Sequence, residues 1–412
     1  MAGNPNIPGG TPPEQRPARA GEAKAAATIA EPPLPSSKPL QIFLLVAFVI
    51  TGAAYVVDQW NEYRISQMQA RHPSKLRRLV QGQNAFLAHV QTGDNAFAKK
   101  QLDQAVSEYR LALQGQNQAE GHQKLGQALL QQGNPEAAFA QFKEALRLNP
   151  RLTEVYCVWG QALIPQGKTD EAVRLYLDAL QHNPDSGVLH YNLAVALQDK
   201  QRNVEAARRV AVASGRSEEA NADAGEARRL ATEALQHYSK ASRMGMNSPA
   251  FWCGFGELLN QQGKFADAET SLTRAVAADS SLARAHTELA LAQRRQGKFA
   301  DAIAHYEKAL TLTPDDPAIL DNLALIYATA TNSEVFSPKM AVQLATRACD
   351  ATTSQNARFM DTLARSYAAD GDFLQAISWE DKALHRAWQL GDHDLERELQ
   401  TRYNLFLMHK TE

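Results

Sequence analysis

The sequence has 412 residues, enough for two or three domains or for one long repetitive array. Hydrophobic residues make up 44% and charged residues 21%, and 69 alanines against 23 glycines and 18 prolines favour closely packed helices over a β-sandwich. A formal net charge of −2 gives no overall positive field, so the composition argues against a nucleic-acid-binding protein.

Residues 1–39 hold nine of the eighteen prolines and no aromatic residue. Such a stretch buries too little apolar surface to offset the entropy lost on ordering, so it is predicted to be a disordered, proline-rich tail. The run Pro32–Pro35 could also form a short polyproline II ligand for a proline-reading domain.

Residues 40–57 are 18 consecutive uncharged residues, of which eleven are Leu, Ile, Val or Phe. At about 1.5 Å per residue a helix of this length reaches about 27 Å, close to the thickness of a bilayer's hydrocarbon core. Tyr55, Trp60 and Tyr63 follow at one end, where aromatic rings favour the headgroup region. The pattern predicts a single transmembrane helix.

Two alternatives to a transmembrane helix stay open. The segment could be a buried core helix, or it could be a cleaved signal peptide, since Gly52 to Ala54 offers the small residues that a signal peptidase reads. Orientation is also open. Basic residues crowd the C-terminal side, which favours a cytoplasmic C-terminal part, yet large domains cross membranes largely regardless of charge. The predicted location is a membrane, reached by a single pass, with the bacterial inner membrane as the expected one.

Residues 58–85 are predicted to be a helical connector that is broken near Pro73.

Beyond this connector the sequence repeats itself every 34 residues. In residues 153–186, Trp159, Gly160, Leu163, Gly167, Ala172, Tyr176, Ala179 and Pro184 mark the pattern, and residues 119–152 carry equivalent types at the same intervals. This spacing resembles the tetratricopeptide repeat, which implies pairs of antiparallel helices.

The resemblance implies an all-α fold, a right-handed superhelix of helix-turn-helix repeats (an α-solenoid), preceded by the transmembrane helix. Eight units are predicted over residues 86–390, starting near residues 86, 119, 153, 187, 249, 283, 317 and 357. Small residues are expected where the two helices of a unit cross, and large residues between neighbouring units.

The register is interrupted by an insertion at about residues 202–229, inside the fourth unit. It is predicted to lengthen both helices of that unit, either as a tolerated surface excursion or as a protruding hairpin that docks a partner. Residues 391–412 are predicted to form a capping helix and a short tail, because the end of a repeat array exposes apolar surface.

No nucleophile elbow, phosphate-cradling loop or paired cysteines occur, so the chain is predicted not to be an enzyme and to bind no cofactor, metal or small-molecule substrate. The three cysteines, Cys157, Cys253 and Cys349, are widely spaced. His122, His190 and His286 share one repeat position and are interpreted as packing residues.

The remaining candidate site is the concave face formed by the first helices of the units. A backbone-binding asparagine ladder, such as the resemblance would allow, is matched only at Asn192 and Asn322, and no carboxylate clamp is present. Arginines outnumber carboxylates toward the C-terminal end, which predicts affinity for an acidic segment of a protein or peptide partner. The predicted partner-binding residues are Tyr191, Asn192, Asp199, Arg284, Glu288, Arg294, Arg295, Asp321, Asn322, Arg358, Asp361 and Arg365.

These features together predict a membrane-anchored scaffold or adaptor that holds a protein partner on its concave face. The alternative is an accessory subunit of a membrane enzyme or envelope assembly system, for example in polymer synthesis, secretion or cytochrome maturation.

Overall fold

A computed structural model describes residues 73–330 and 335–411. The predicted tail and transmembrane helix, residues 1–57, lie outside this range, as does the connector up to residue 72. Among the described residues, none of the helices is both long and apolar enough to cross a bilayer. The chain divides into two compact units, residues 1–80 and 81–412, and the boundary falls within the first described helix.

All regular structure in the described ranges is helical. The α-helices in chain order are α1 (Pro73–Ala98), α2 (Leu102–Gly115), α3 (Ala119–Gln131), α4 (Pro135–Leu148), α5 (Thr153–Leu163), α6 (Thr169–His182), α7 (Gly187–Ala213), α8 (Ser217–Arg243), α9 (Pro249–Gln261), α10 (Phe265–Ala278), α11 (Ala283–Arg295), α12 (Phe299–Leu312), α13 (Pro317–Thr329), α14 (Pro338–Ala351), α15 (Ala357–Ala369), α16 (Phe373–Gln389) and α17 (His393–Leu407). A short 3-10 helix, Ile164–Gln166, extends α5.

The helices pair in sequence as the repeat predicts, so the expected all-helical solenoid of tetratricopeptide type is confirmed. Each odd-numbered helix from α3 to α15 packs against the helix that follows it, and α17 packs against α16. The bonded pairs Tyr109–Asp94 and His89–Glu108 join α2 to α1 in the same way.

The two helices of a unit approach closely because a small residue of the first helix lies under a large side chain of the second. Gly126 in α3 faces Phe142 of α4, and a Cβ added at this glycine would lie 2.5 Å from the Phe142 ring. Gly160 meets Tyr176 in the same way, and Gly256 meets Leu272. The large partner is fully buried in each case, with Phe142, Tyr176 and Leu272 all at 0% exposure. Close crossing therefore depends on the absence of a side chain.

The histidines of the first helices also pack across the unit. His190 Nδ1 lies 2.8 Å from His237 Nδ1, and His286 Nδ1 lies 3.0 Å from His305 Nδ1. The second nitrogen of each first-helix histidine contacts a backbone carbonyl oxygen, of Pro184 and Ser280 respectively. Because one Nδ1 of each pair must accept the hydrogen bond that the other donates, at least one histidine of each pair is neutral. Both nitrogens of His190 and His286 are used in contacts within the protein, so these residues serve as packing groups between helices.

The last unit departs from this pattern at one position. The place that holds a buried ring or leucine in most units is occupied by Glu380, which is 0% exposed. Burial, with the neighbouring Asp361 carboxylate, raises the pKa of Glu380 to about 9. Arg402 of α17 forms an ion pair with Asp361 and lies 3.8 Å from Glu380 Oε1, a distance too long to offset the burial. The capping helix is therefore held by a buried cluster of two carboxyl groups and one arginine.

We predict that Gly126→Ala lowers the free energy of unfolding by about 1–3 kcal/mol, because the new methyl group overpacks against Phe142. Urea unfolding followed by circular dichroism measures the change. Gly115→Ala is the matched control: Gly115 is exposed and a Cβ there meets no atom within 4 Å, so this variant should be unchanged or stabilised by up to about 1 kcal/mol. Equal destabilisation by both variants would contradict the crossing argument.

We predict that Glu380→Gln stabilises the C-terminal cap at pH 8 by about 1–3 kcal/mol and has little effect near pH 4.5. Glu380 binds a proton in the folded state up to about pH 9, whereas the unfolded chain releases that proton near pH 4.5. The wild type therefore loses stability as the pH rises between these two values, and a neutral glutamine does not.

Hydrogen exchange of the α16 and α17 amides at several pH values measures this effect. Glu398→Gln is the control, because Glu398 also contacts Arg402, at 3.0 Å, but its side chain is 53% exposed. If the α16 and α17 amides of Glu380→Gln exchange as fast as those of the wild type at pH 8, Glu380 is not a buried neutral carboxyl group.

Candidate functional site

The candidate site is the face formed by the first helices of consecutive units. α5, α7, α9, α11 and α13 each contact the next first helix, whereas the second helices pack mainly against first helices. Closer spacing of the first helices places them on the inner side of the local curve. Side chains of these helices that are not consumed in packing therefore line a continuous groove.

In the fourth unit, the predicted residues are used largely for packing. Asn192 is 5% exposed, accepts a hydrogen bond from Gln161 Nε2 at 2.9 Å and donates one to the Val188 carbonyl oxygen at 2.9 Å. Half-buried Tyr191 packs edge-on against Phe251, with ring centroids 5.7 Å apart. Asp199 accepts a hydrogen bond from Thr169 Oγ1 at 2.7 Å. This end of the groove offers little uncommitted polar surface.

The centre of the groove is a polar network between α9 and α11. Arg284 forms an ion pair with Glu257, a residue that the sequence analysis did not select. Asn260 Nδ2 donates to Glu288 Oε2 at 2.9 Å, and burial raises the pKa of Glu288. The Arg295 guanidinium lies 5.9 Å from the centroid of the Phe265 ring.

These side chains border a crevice between the two helices, in which polar groups surround an apolar floor. It is lined by Glu257, Asn260, Gln261, Gly263, Phe265, Glu288, Leu291 and Arg295. Asn260 Oδ1 is buried there and has no hydrogen-bond partner in the described part of the chain. Such a crevice can accept a donor from an extended peptide.

The C-terminal end of the groove contains a second cluster, formed by α11, α13 and α15. Burial raises the pKa of Asp321 to about 7, although a hydrogen bond from Thr362 and the charges of Arg294 and Arg365 favour its ionised form. Asp321 Oδ1, Arg294 Nε and the Tyr306 hydroxyl are buried without hydrogen-bond partners among the described residues. The Arg294 guanidinium also offsets part of the burial that raises the pKa of Tyr306, so these buried groups form one polar cluster in the wall of the groove.

Two predicted residues are removed from the accessible surface. Asn192 is buried between units, and Asp361, 8% exposed, is committed to Arg402 of the capping helix. Asn322 is half-buried and donates to the Ala318 carbonyl oxygen at 2.8 Å. Arg295 and Arg358 are exposed on the groove's first helices. The accessible part of the predicted set thus lies mainly on α11, α13 and α15.

Sequence reasoning missed Glu257, Asn260, Phe265 and Tyr306. The signal for two of them was present, because Glu257 shares its repeat position with Arg365, and Asn260 shares its position with Arg294. Phe265 and Tyr306 begin or lie within second helices, so a search restricted to first helices could not select them.

Comparison with known proteins identifies the repeat. A model of the tetratricopeptide repeat matches residues 157–214 and 253–317, and a second tetratricopeptide model matches residues 119–152. The chain therefore contains tetratricopeptide repeats. Among curated proteins, none matches the sequence.

Several solved structures are similar to this chain at low identity. A structure of Pseudomonas aeruginosa pilF is 18% identical, with 57% of this chain and 94% of that one covered and a TM-score of 0.45. YrrB, described as a TPR protein with an unusual peptide-binding site, is 17% identical over 52% of this chain and 92% of its own, with a TM-score of 0.40. A thermophilic TPR protein from Thermus thermophilus, TTC0263, is 21% identical over 49% of this chain and 94% of its own, with a TM-score of 0.36.

Proposed function

We propose that this chain of tetratricopeptide repeats is a non-enzymatic scaffold that holds an acidic segment of a protein partner in its groove and is anchored to a membrane by residues 40–57. Tetratricopeptide repeats bind peptides or proteins through the extended surface that stacked units create. The observation that carries the proposal is the run of touching first helices, whose groove contains the crevice between α9 and α11.

The charge of the groove favours an acidic partner. Glu257 is paired with Arg284 and Asp361 with Arg402, so two of the nearby carboxylates are already neutralised. Asp321, with a pKa of about 7, is only partly ionised at neutral pH. The exposed guanidinium groups of Arg295 and Arg358 then leave a positive potential along α11 and α15.

The proposal of a non-catalytic role rests on the candidate metal ligands and the cysteine thiols. Among the described residues, no three histidine, cysteine, aspartate or glutamate side chains are grouped so that they could hold a metal ion. The thiols of Cys157 and Cys253 are buried, and burial raises the pKa of each to about 11, so they are poor nucleophiles.

We predict that the double variant Arg295→Glu, Arg358→Glu lowers affinity for acidic peptides about tenfold, equivalent to about 1.4 kcal/mol. Fluorescence anisotropy with matched panels of acidic, neutral and basic peptides measures this at two ionic strengths. Arg243→Glu with Lys308→Glu is the control, because these exposed residues lie on the second helices α8 and α12. Equal binding of all three panels, or equal loss in the control, would refute the acidic-segment proposal.

We predict that the full chain sediments with membranes and resists extraction by alkaline carbonate, because residues 40–57 are apolar enough to insert. Deletion of residues 40–57 should release the protein into the soluble fraction, whereas deletion of residues 5–35 should not. The mass of the mature chain distinguishes an anchor from a cleaved signal peptide. A full-length chain recovered in the soluble fraction would exclude the anchor.

A further inference from the structure

The fourth unit carries a hairpin that no other unit has. α7 and α8 contain 27 residues each, against 13 or 14 in most other repeat helices, so residues 202–229 form an extension about 21 Å long. We call these residues the hairpin extension. Ala211, Ala220 and Ala227 are buried along it, and α7 and α8 make the most extensive contact between two helices in the described part of the chain. Its two helices are therefore packed together as a stiff unit.

The tip of the hairpin extension meets the turn between α16 and α17. A Cβ added at Gly391 would lie 2.7 Å from Ala213 Cα and 2.9 Å from the Ala213 carbonyl oxygen. Gly391 also has a φ of +65°, a conformation that residues with side chains rarely adopt. Two independent constraints thus require glycine here, the backbone angle and the approach of another chain segment.

Another turn in the same unit shows that the approach is specific. Gly371, between α15 and α16, has a φ of +85°, but a Cβ there would meet no atom within 4 Å. The left-handed backbone is common to both turns, and only Gly391 is covered. The apolar side chains nearest to the contact in sequence stay largely exposed, with Val210 59%, Trp388 61% and Leu390 49% exposed, so the close approach is confined to Gly391 and Ala213.

We infer that the hairpin extension is an internal brace whose tip docks on the α16–α17 turn and fixes the curvature of units four to eight. Elsewhere in the solenoid the principal contacts join neighbouring helices or units. The Ala213–Gly391 contact bypasses units five, six and seven, so it closes these units into a ring of contacts. The segment that covers the α16–α17 turn is therefore the tip of the hairpin extension of the same chain.

The brace has a consequence for the groove. In an open solenoid, small rotations at each interface add up, so the distance between first helices several units apart varies. A contact between the fourth unit and the end of the eighth restricts these rotations. The groove then loses fewer conformations when a partner binds, so the entropic cost of binding is lower.

Spin labels on the full chain test the docking directly. Cysteines replace the exposed residues Arg209 and Asp394, on either side of the contact, while the native cysteines Cys157, Cys253 and Cys349 are buried. Pulsed electron resonance should give one narrow distance peak. Gly391→Leu should shift that peak to longer, broader distances, whereas Gly371→Leu carries the same backbone penalty and should leave it in place.

Ala213→Leu provides a second test without backbone strain, because Ala213 ends a helix and its added side chain meets the turn. It should broaden the peak as Gly391→Leu does. A wild-type distribution as broad as that of Gly391→Leu, or an equal effect of Gly371→Leu, would overturn the docking.

The bracing role has its own readout. Labels at the exposed positions Gln236 on α8 and Lys382 on α16 report the separation of units four and eight. This distance should be narrow in the otherwise unmodified chain and at least twofold broader with Ala213→Leu. An unchanged width would show that the tip docks without fixing the curvature, and the brace would be rejected whatever peptide the groove binds.

Discussion

The close crossing of two helices over a residue without a side chain is the constraint on which this structure depends. At Gly126, Gly160 and Gly256, the space of a missing Cβ is filled by a large buried side chain of the second helix. Because the large side chain fills the space of the missing Cβ, the two helices approach closely and the ring or leucine is buried between them. Gly93 repeats this packing against Tyr109, and the other four units place an alanine at the same position, so the first helices are brought side by side and the groove exists as a result.

The same constraint explains why the last unit is unusual. Glu380 occupies the position of the large apolar side chain, and a buried carboxyl group can remain there only if it is protonated or paired. The structure supplies Asp361 and Arg402 around it, so the capping helix α17 is joined to the solenoid through this polar cluster as well as through its buried side chains Leu395, Leu399 and Phe406. An apolar residue would seal the end equally well, whereas the carboxyl group makes the strength of the seal depend on pH.

The sequence predicted the helices and their pairing because the signals for them are local. A glycine under Phe142, a left-handed glycine at most turns within the units and an alanine in each second helix recur at fixed spacing, and spacing alone locates them. The groove residues were harder to predict. Asp361 has the right register for the inner face, but its partner Arg402 comes 41 positions later, from a helix outside the repeat. Which charged groups stay available depends on such pairings between units.

The contact at Gly391 lies beyond sequence reasoning for a related reason. Its existence depends on the sum of the rotations between units four and eight, since only that sum brings Ala213 to the α16–α17 turn. A glycine at a helix end reads in the sequence as an ordinary left-handed turn, as Gly371 does. A solenoid is usually stabilised by neighbours alone, so its curvature is a weakly held property. An insertion whose tip reaches past units five, six and seven makes that curvature a property of the whole ring, so the brace we infer would set the width of the groove as well.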